Sequence, residues 1–275
     1  MNPYFETVIF AIIMGSSGAF FKYLNLSPFV FTFFRVAIPT IILLSFFMYK
    51  KERLFNNNFK VMNTLSLLHT LKIFLYFLGM SMTTIGNAVV LFYTWPIFTS
   101  ILSHFHLKER FSKEEVMYIA LAFLGVVVVH FSKMSFDGYT PLSLVFLISS
   151  ALVFAYTVVR FKGESGKNSS YKLLFYQNFS GAIVFLPIFF LNVPTPSQIA
   201  VGSIYGLLAG FVGYFLFFSA LKKIKASTVS NISNLEIISA VLFGVLLFGE
   251  DLTLNFLIGA GLIIFSAIQI RRKNK

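Results

Sequence analysis

One long pattern occurs twice in the chain, as "LYFLGMSMTTIGNAVVLFYTWPIFTSILSHFHLKER" at residues 75–110 and as "LFFSALKKIKASTVSNISNLEIISAVLFGVLLFGED" at residues 216–251. In both copies an apolar run ends at a glutamate, Glu109 or Glu250, and a charged residue follows it. Few residues are identical between the copies, but the runs and their terminal residues keep the same order. The pattern therefore predicts an internal duplication.

The composition indicates a membrane protein. Of the 275 residues, 57% are hydrophobic and only 12% are charged, and the mean hydropathy is +0.82. Apolar runs of roughly 17–24 residues follow one another along the whole chain, and about 20 such residues cross a hydrocarbon core of about 30 Å. We predict an all-α polytopic membrane protein with ten transmembrane helices. The predicted helices are 4–23, 28–49, 61–82, 86–106, 115–132, 140–160, 171–191, 198–220, 226–248 and 253–270.

Basic residues are concentrated on one predicted side of the membrane. The 22 Lys and Arg residues give a formal net charge of +12, and most lie at 50–60, 108–113, 160–172, 222–225 and 271–275. This asymmetry is the positive-inside pattern, and it predicts cytoplasmic N- and C-termini in a bacterial inner membrane. The charge is then an orientation signal, so we expect no nucleic-acid partner. We also expect no cleaved signal peptide, because no small-x-small site follows the first apolar run.

The duplication is predicted to be inverted. We place the first repeat at residues 1–134 and the second at residues 138–275, with five spans in each. Because five is odd, the second repeat enters the membrane in the opposite orientation. The loop after Glu109 is accordingly basic, whereas the loop after Glu250 contains no Lys or Arg. Inverted repeats recur among secondary transporters, which bind substrate near the midplane where the halves meet.

Few ionisable side chains lie inside the predicted spans. Of the 10 Asp and Glu residues, only Glu236 is mid-span, where a charge costs roughly 2.5–3.5 kcal/mol on insertion scales. Lys72 lies near the middle of the third span, and the repeat places Trp95 opposite Glu236. Lipid cannot pair with these charges, so we expect Lys72 and Glu236 to face the interior of the bundle. Arg35 lies within two turns of the outer face, where it could snorkel or cap carbonyl groups.

These groups predict a substrate site between facing helices. Lys72 would bind a carboxylate and Glu236 an ammonium group, which suits a zwitterion. Helical spacing places His69, Lys72 and Tyr76 on one face of the third span, and tyrosine and tryptophan side chains would form aromatic walls. The predicted substrate-binding residues are Lys72, Glu236, Tyr76, Tyr93, Trp95, His69, Tyr156 and Asn234.

Some of these side chains also have a structural interpretation. Lys72 and Glu236 could form a buried ion pair that locks the halves together, and His69 could be a helix–helix hydrogen-bond donor. Glu236 or His69 could instead carry a coupling proton. The chain has no Cys, and its core holds no paired acids or metal-ligand cluster. We therefore expect no cofactor, no metal site and no enzymatic activity.

The two copies resemble the EamA family of the drug/metabolite transporter superfamily. The first copy contains "NAVVLFYTWPIFTSILSHFHLKER", similar to the family pattern A…L…P…(L)xER, and the second contains "LEI" where the family commonly reads "LEP" before a terminal "GE". Pro96 is expected to kink the fourth span. Because Ile237 replaces the second proline, we expect no counterpart of this kink in the ninth span.

The resemblance covers essentially the whole chain and implies an architecture. The first, third, fourth, sixth, eighth and ninth helices would enclose a central cavity, which leaves Arg35, on the second helix, outside this ring. Family members transport amino acids, amines, nucleosides and other small metabolites.

We predict a secondary transporter that moves a small polar organic metabolite, such as an amino acid or a related zwitterion, by alternating access. An adenine-bearing metabolite such as S-adenosylmethionine is the alternative substrate class. A non-transporting membrane subunit and a membrane enzyme are the alternative functions. The expected partners are the substrate, the lipid bilayer and a coupling proton, and we expect a monomer.

Overall fold

The structure is a computed structural model that describes residues 1–52, 58–134 and 140–273. Within these ranges the chain forms ten helical spans and no strand, as predicted. Nine spans are long and apolar enough to cross a membrane, and the remaining one, α5, has 18 residues and begins with charged side chains. The spans are α1 (Pro3–Leu24), α2 (Pro28–Lys50), α3 (Phe59–Met80), α4 (Ile85–Leu107), α5 (Lys113–His130), α6 (Pro141–Glu164), α7 (Ser170–Leu191), α8 (Pro196–Lys223), α9 (Ala226–Phe248) and α10 (Leu254–Lys273). Arg53 and Lys275, which belong to the predicted cytoplasmic segments, lie outside the described residues.

Both α4 and α9 are broken at the same depth. The half-helices of α4 are Ile85–Phe92 and Trp95–Leu107, and those of α9 are Ala226–Ile232 and Leu235–Phe248. In α9 the amide of Asn234 donates to the carbonyl three residues earlier at 3.1 Å, so the chain passes through one tight turn of 3₁₀ type. A similar turn separates the halves of α4.

The expectation that the ninth span lacks a kink is therefore wrong. Ile237 supplies no proline, but Ser233 and Asn234 stand at the break, and such residues bond to nearby backbone instead of supporting a regular helix. The Ser233 hydroxyl donates to the Val229 carbonyl at 2.8 Å. Short polar side chains thus produce in α9 the break that accompanies Pro96 in α4.

The helix contacts have the directions that an inverted repeat requires. Span α5 runs antiparallel to its repeat counterpart α10, with Gly125 against Gly259 at the crossing, and α2 packs in the same way against its counterpart α7. Span α3 runs antiparallel to α6, and the Ser150 hydroxyl donates to the Lys72 carbonyl at 2.8 Å. Span α1 runs parallel to α9, and the Ser239 hydroxyl donates to the Ala11 carbonyl at 3.0 Å. The two repeats therefore enter the bundle in opposite orientations.

A stripe of glycines brings α8 into backbone contact with α2. A Cβ atom on Gly206 would overlap the Phe34 carbonyl oxygen, and one on Gly210 would overlap the Arg35 carbonyl oxygen. The surrounding segment, Gly206–Gly213, has π-helical hydrogen bonding, which commonly marks functional sites. This close approach places Arg35 directly beside the centre of α8.

The molecule has two ends, which we call the termini face and the far face. The termini face includes both chain ends and carries the ion pairs Glu6–Lys223 at 2.6 Å and Glu114–Lys273 at 3.0 Å. On the far face Lys22 pairs with Glu250 at 3.1 Å. The pathway of any transported molecule runs between these two faces.

Candidate functional site

Lys72 lies on aromatic rings in the middle of the bundle. Its Nζ atom is 4.3 Å from the centroid of the Phe154 ring and 4.7 Å from that of the Phe92 ring. Only 7% of the residue is exposed, and such cation–π contacts are strongest where water is excluded. Among the described residues no ion pair joins Lys72 to Glu236. The buried ion pair, considered above as an alternative, is not formed in this structure.

Glu236 lies in the first turn of the second half-helix of α9. The N-terminal end of a helix carries a positive partial charge that stabilises a carboxylate. The Tyr93 hydroxyl lies within hydrogen-bonding reach of Glu236, and Lys72 and Arg35 are close enough to attract it. The break in α9 therefore places the positive end of a half-helix dipole beside this mid-membrane carboxylate.

Trp95 holds the equivalent position in the first repeat. It is the first residue of the second half-helix of α4, so the predicted match between Trp95 and Glu236 places both directly after a helix break. The Trp95 ring lies 4.7 Å from that of Phe154. The two repeats thus present an aromatic ring and a carboxylate from corresponding places.

Arg35 belongs to the same cluster, contrary to the expectation that it anchors α2 at the outer face. Its guanidinium lies 5.5 Å from the centroid of the Tyr214 ring, and Tyr205 and Glu236 are within electrostatic reach. The physical reason is the glycine stripe of α8, which brings α2 close enough for this long side chain to turn inward. The inner ring implied by the family resemblance must therefore include α2.

Aromatic side chains enclose these charges. The Tyr76 ring lies 5.0 Å from that of Phe92, and the Phe92 ring stacks on that of Phe154 at 5.8 Å. Neither Phe92 nor Phe154 was predicted from the sequence. Nothing in the sequence distinguishes them from the other members of a set of 37 phenylalanines.

His69 completes the central cluster. It is 1% exposed, and its ring lies 5.9 Å from that of Phe154 and 6.5 Å from that of Tyr214. Neither ring nitrogen hydrogen-bonds to a protein group within the described part of the chain. The interpretation of His69 as a helix–helix hydrogen-bond donor is therefore wrong for this structure.

The remaining two predicted residues differ in position. Asn234 is buried at the break of α9, two residues before Glu236, and its side-chain oxygen has no hydrogen-bond partner in the described structure. Tyr156 lies nearer the termini face, where its hydroxyl accepts a hydrogen bond from Arg160 at 3.3 Å. The structure brings Asn234 to the site and does not bring Tyr156 there.

The arrangement suits a ligand that carries both charges. Arg35 and Lys72 supply positive charge from α2 and α3, and Glu236 supplies negative charge from α9. The aromatic rings between them come from α3, α4, α6 and α8. Such a set can hold an anionic group at one end, a cationic group at the other and an apolar or aromatic body between the two.

Comparison with known proteins shows relatives that span most of the chain. Residues 3–131 and 141–272 each match the EamA-like transporter family. A Rickettsia conorii protein named S-adenosylmethionine uptake transporter is 29% identical over 253 residues, which cover 88% of this chain and 83% of that protein. An uncharacterized transporter of Archaeoglobus fulgidus is 25% identical over 260 residues, covering 94% and 92% of the two chains. A crystal structure described only as that of a protein superposes with a TM-score of 0.84 over 99% of both chains. The two sequences are 14% identical, so this likeness shows a shared fold.

Proposed function

The chain belongs to the EamA-like transporter family, and on that premise we propose that it transports a small metabolite with an α-amino-acid head group by alternating access. The observation that supports this proposal is the central cluster, in which Arg35 and Lys72 lie within electrostatic reach of Glu236 and against aromatic rings. An α-carboxylate binds between the two cations, and the α-ammonium group binds to Glu236.

Pairing of individual charges favours such a ligand. The cluster holds two cationic side chains and one carboxylate, and the ring faces of Phe92 and Phe154 compensate Lys72 only in part. A ligand carboxylate can pair with the cations and a ligand ammonium group with Glu236, in a site from which water is largely excluded. A zwitterion leaves the net charge of the cluster unchanged.

S-adenosylmethionine is the specific candidate within this class. It combines the same amino-acid head group with a sulfonium cation and an adenine ring. The Rickettsia relatives are named S-adenosylmethionine uptake transporters, and the rings of Tyr76, Phe92 and Trp95 offer faces on which adenine can stack. Free amino acids such as methionine share only the head group, so comparing the two substrates separates the candidates.

The orientation and surroundings form part of the same proposal. The termini face is cytoplasmic, because it carries Lys222, Lys223 and Lys225 together with the basic end of α10. The protein lies in the bacterial inner membrane as a monomer of two repeats, at residues 1–134 and 138–275. The start and the end of the second repeat lie outside the described residues. His69 or Glu236 carries a coupling proton, and the protein has no enzymatic activity.

Uptake into proteoliposomes tests the substrate assignment. Purified protein should accumulate radiolabelled S-adenosylmethionine, and excess unlabelled methionine should compete weakly. Glu236→Gln and Lys72→Met should each abolish uptake, because each leaves one charged end of the ligand without a partner. Tyr156→Phe is the matched control and should retain uptake, since its side chain lies outside the cluster.

Each other outcome has a definite meaning. Uptake of methionine but not of S-adenosylmethionine would support the amino-acid class and reject the adenine-bearing candidate. Normal uptake by both charge variants would place the site elsewhere. Failure of every metabolite in a broad panel to cross, with the protein folded, would favour a non-transporting subunit.

A further inference from the structure

Two side chains hold the link between α8 and α9 in place on the termini face. At the end of α4, Glu109 accepts a hydrogen bond from the Ala226 amide at 2.8 Å and another from the Ser227 hydroxyl at 3.0 Å. At the end of α6, Lys162 donates to the Leu221 carbonyl at 2.6 Å and to the Ile224 carbonyl at 2.9 Å. A carboxylate thus caps the N-terminus of α9, and an ammonium group caps the C-terminal end of α8.

The repeat gives each of these groups a counterpart on the far face. In the aligned copies Glu250 corresponds to Glu109, and the link at 80–86 corresponds to 221–227. Lys22 lies two residues before the end of α1, and Lys162 lies two residues before the end of α6. The two lysines hold the same place relative to their helix ends, although the register that matches Glu109 with Glu250 sets Lys22 against Gly163. An exactly symmetric molecule would therefore have Glu250 and Lys22 holding the link between α3 and α4.

The far face does not have this arrangement. Glu250 pairs with Lys22 at 3.1 Å, and both side chains are exposed. The N-terminus of α4 is capped locally by the Thr84 hydroxyl. Ile85 is 71% exposed, whereas its counterpart Ala226 is fully buried. On the far face Glu250 and Lys22 therefore bind each other, whereas on the termini face Glu109 and Lys162 bind the link.

Helix packing also differs between the two faces, and again the contacts are more extensive on the termini face. On the termini face the first half-helix of α9 packs against the second half-helix of α4. In the described structure no comparable packing joins the first half-helix of α4 to the second half-helix of α9. Within the described residues, the half-helices of α4 and α9 therefore pack more closely at the termini face than at the far face.

We propose that Glu109 and Glu250 are alternating latches, with Lys162 and Lys22 as their partners. In the present state Glu109 caps α9 and keeps the termini face closed, while Glu250 is held away from α4 by Lys22. In the opposite state Glu250 caps the N-terminus of α4 at the Ile85 amide, Lys22 binds the carbonyls that end α3, and Glu109 pairs with Lys162. This inference rests on the proposed alternating access and assigns the groups that stabilise each state.

Space for the exchange exists beside the latch. A cavity of about 470 Å³ is lined by Leu107, Glu109, Lys162, Lys223, Ile224 and Lys225. Lys162 and Glu109 already attract each other, and with this free volume the Glu109 carboxylate can turn from the α9 terminus to the Lys162 ammonium group. Loss of the two hydrogen bonds to α9 is then offset by a new ion pair.

Distances between spin labels test the latch without any transport measurement. The chain contains no Cys, so introduced cysteines are its only thiols. A label pair at Arg110 and Lys222 reports on the termini face, and the pair at their repeat counterparts, Asp251 and Ser81, reports on the far face. All four positions are exposed. Without latch mutations, the termini pair should give a short, narrow distance distribution and the far pair a longer one.

The two latch variants should shift these distances in opposite directions. Glu109→Ala removes the cap of the present state and should raise the population with a long termini-face distance and a short far-face distance several-fold. Glu250→Ala removes the cap of the other state and should reduce that population below its level in the unmodified chain. Glu114→Ala, which alters an exposed ion pair on the termini face, is the matched control and should change neither distribution.

The outcomes separate the latch from a purely structural role and from the proposed substrate. Unchanged distances in Glu109→Ala, or shifts of the same sign in both variants, would overturn the proposal. If Glu109→Ala does not purify as a folded monodisperse protein, Ser227→Ala removes one of the two hydrogen bonds and should produce a smaller shift in the same direction. Opposite shifts in a protein that transports no amino-acid metabolite would reject the proposed function and retain the latch.

Discussion

The contact of Lys72 with aromatic rings can be measured by a double-mutant cycle. Phe154→Leu keeps an apolar side chain but removes the ring nearest to the Lys72 ammonium group, at 4.3 Å. A desolvated cation–π contact contributes about 2 kcal/mol, and Phe92 at 4.7 Å retains part of it in the variant. We therefore expect a coupling free energy of about 1 kcal/mol or slightly more between Phe154→Leu and Lys72→Met. The additional loss of the Trp95 ring contact lowers the stability of the single variant but cancels in the cycle.

The assay is equilibrium unfolding in mixed detergent and SDS micelles for the unmodified protein, both single variants and the double variant. Phe161 provides the matched control, because it is also buried and its ring contacts Phe218 at 5.3 Å, with no cation over it among the described residues. Phe161→Leu should show coupling to Lys72→Met within about 0.3–0.5 kcal/mol of zero, as independent sites do. Coupling near zero for Phe154 as well would refute the position assigned to Lys72.

Two further predictions concern the helices that form the site. Gly210→Ala should destabilise the protein by about 1–3 kcal/mol in the same unfolding assay, since its Cβ would overlap the Arg35 carbonyl oxygen. Gly166→Ala is the control and should be neutral, because no atom lies near its Cβ. Equal effects of the two substitutions would contradict the close approach of α8 to α2. Ile237→Pro should retain folding and helix content, because position 237 lies in the first turn of a half-helix, where the proline ring is tolerated. It should cost about 1–3 kcal/mol, since it removes the hydrogen bond from the Ile237 amide to the Asn234 carbonyl and part of a buried side chain. Failure to fold, with loss of helix content, would contradict the break in α9.

Much of the fold could be predicted from patterns along the linear sequence. The lengths of the apolar runs gave the ten spans, for example 86–106 for a helix that extends over Ile85–Leu107. The positions of basic residues gave the inversion that the helix contacts show. Both signals are strong because hydrocarbon excludes unpaired backbone and charge over a fixed thickness.

The parts that could not be predicted depend on rotation about a helix axis and on local bonding. The inward direction of Arg35 depends on the glycines of α8, a contact between distant segments of the chain. The break in α9 contains no proline that would mark it in the sequence. Ser233 and Asn234 instead interrupt the helix by local hydrogen bonds. Phe92 and Phe154 have no polar signature, so only their place beside Lys72 identifies them.

The two helix breaks have a consequence for how a ligand lies in the molecule. An ancestor assembled from two identical units would have offered the same groups from both sides, and a bound molecule could have occupied such a centre in either of two reversed poses. In the present chain Trp95 stands opposite Glu236, and Arg35 stands opposite Gln177. Because the residues in each of these pairs differ, the two repeats present different chemical groups to the central cluster. Under the proposed function, a molecule with unlike ends would bind in a single pose and keep the same end toward the same repeat during transport.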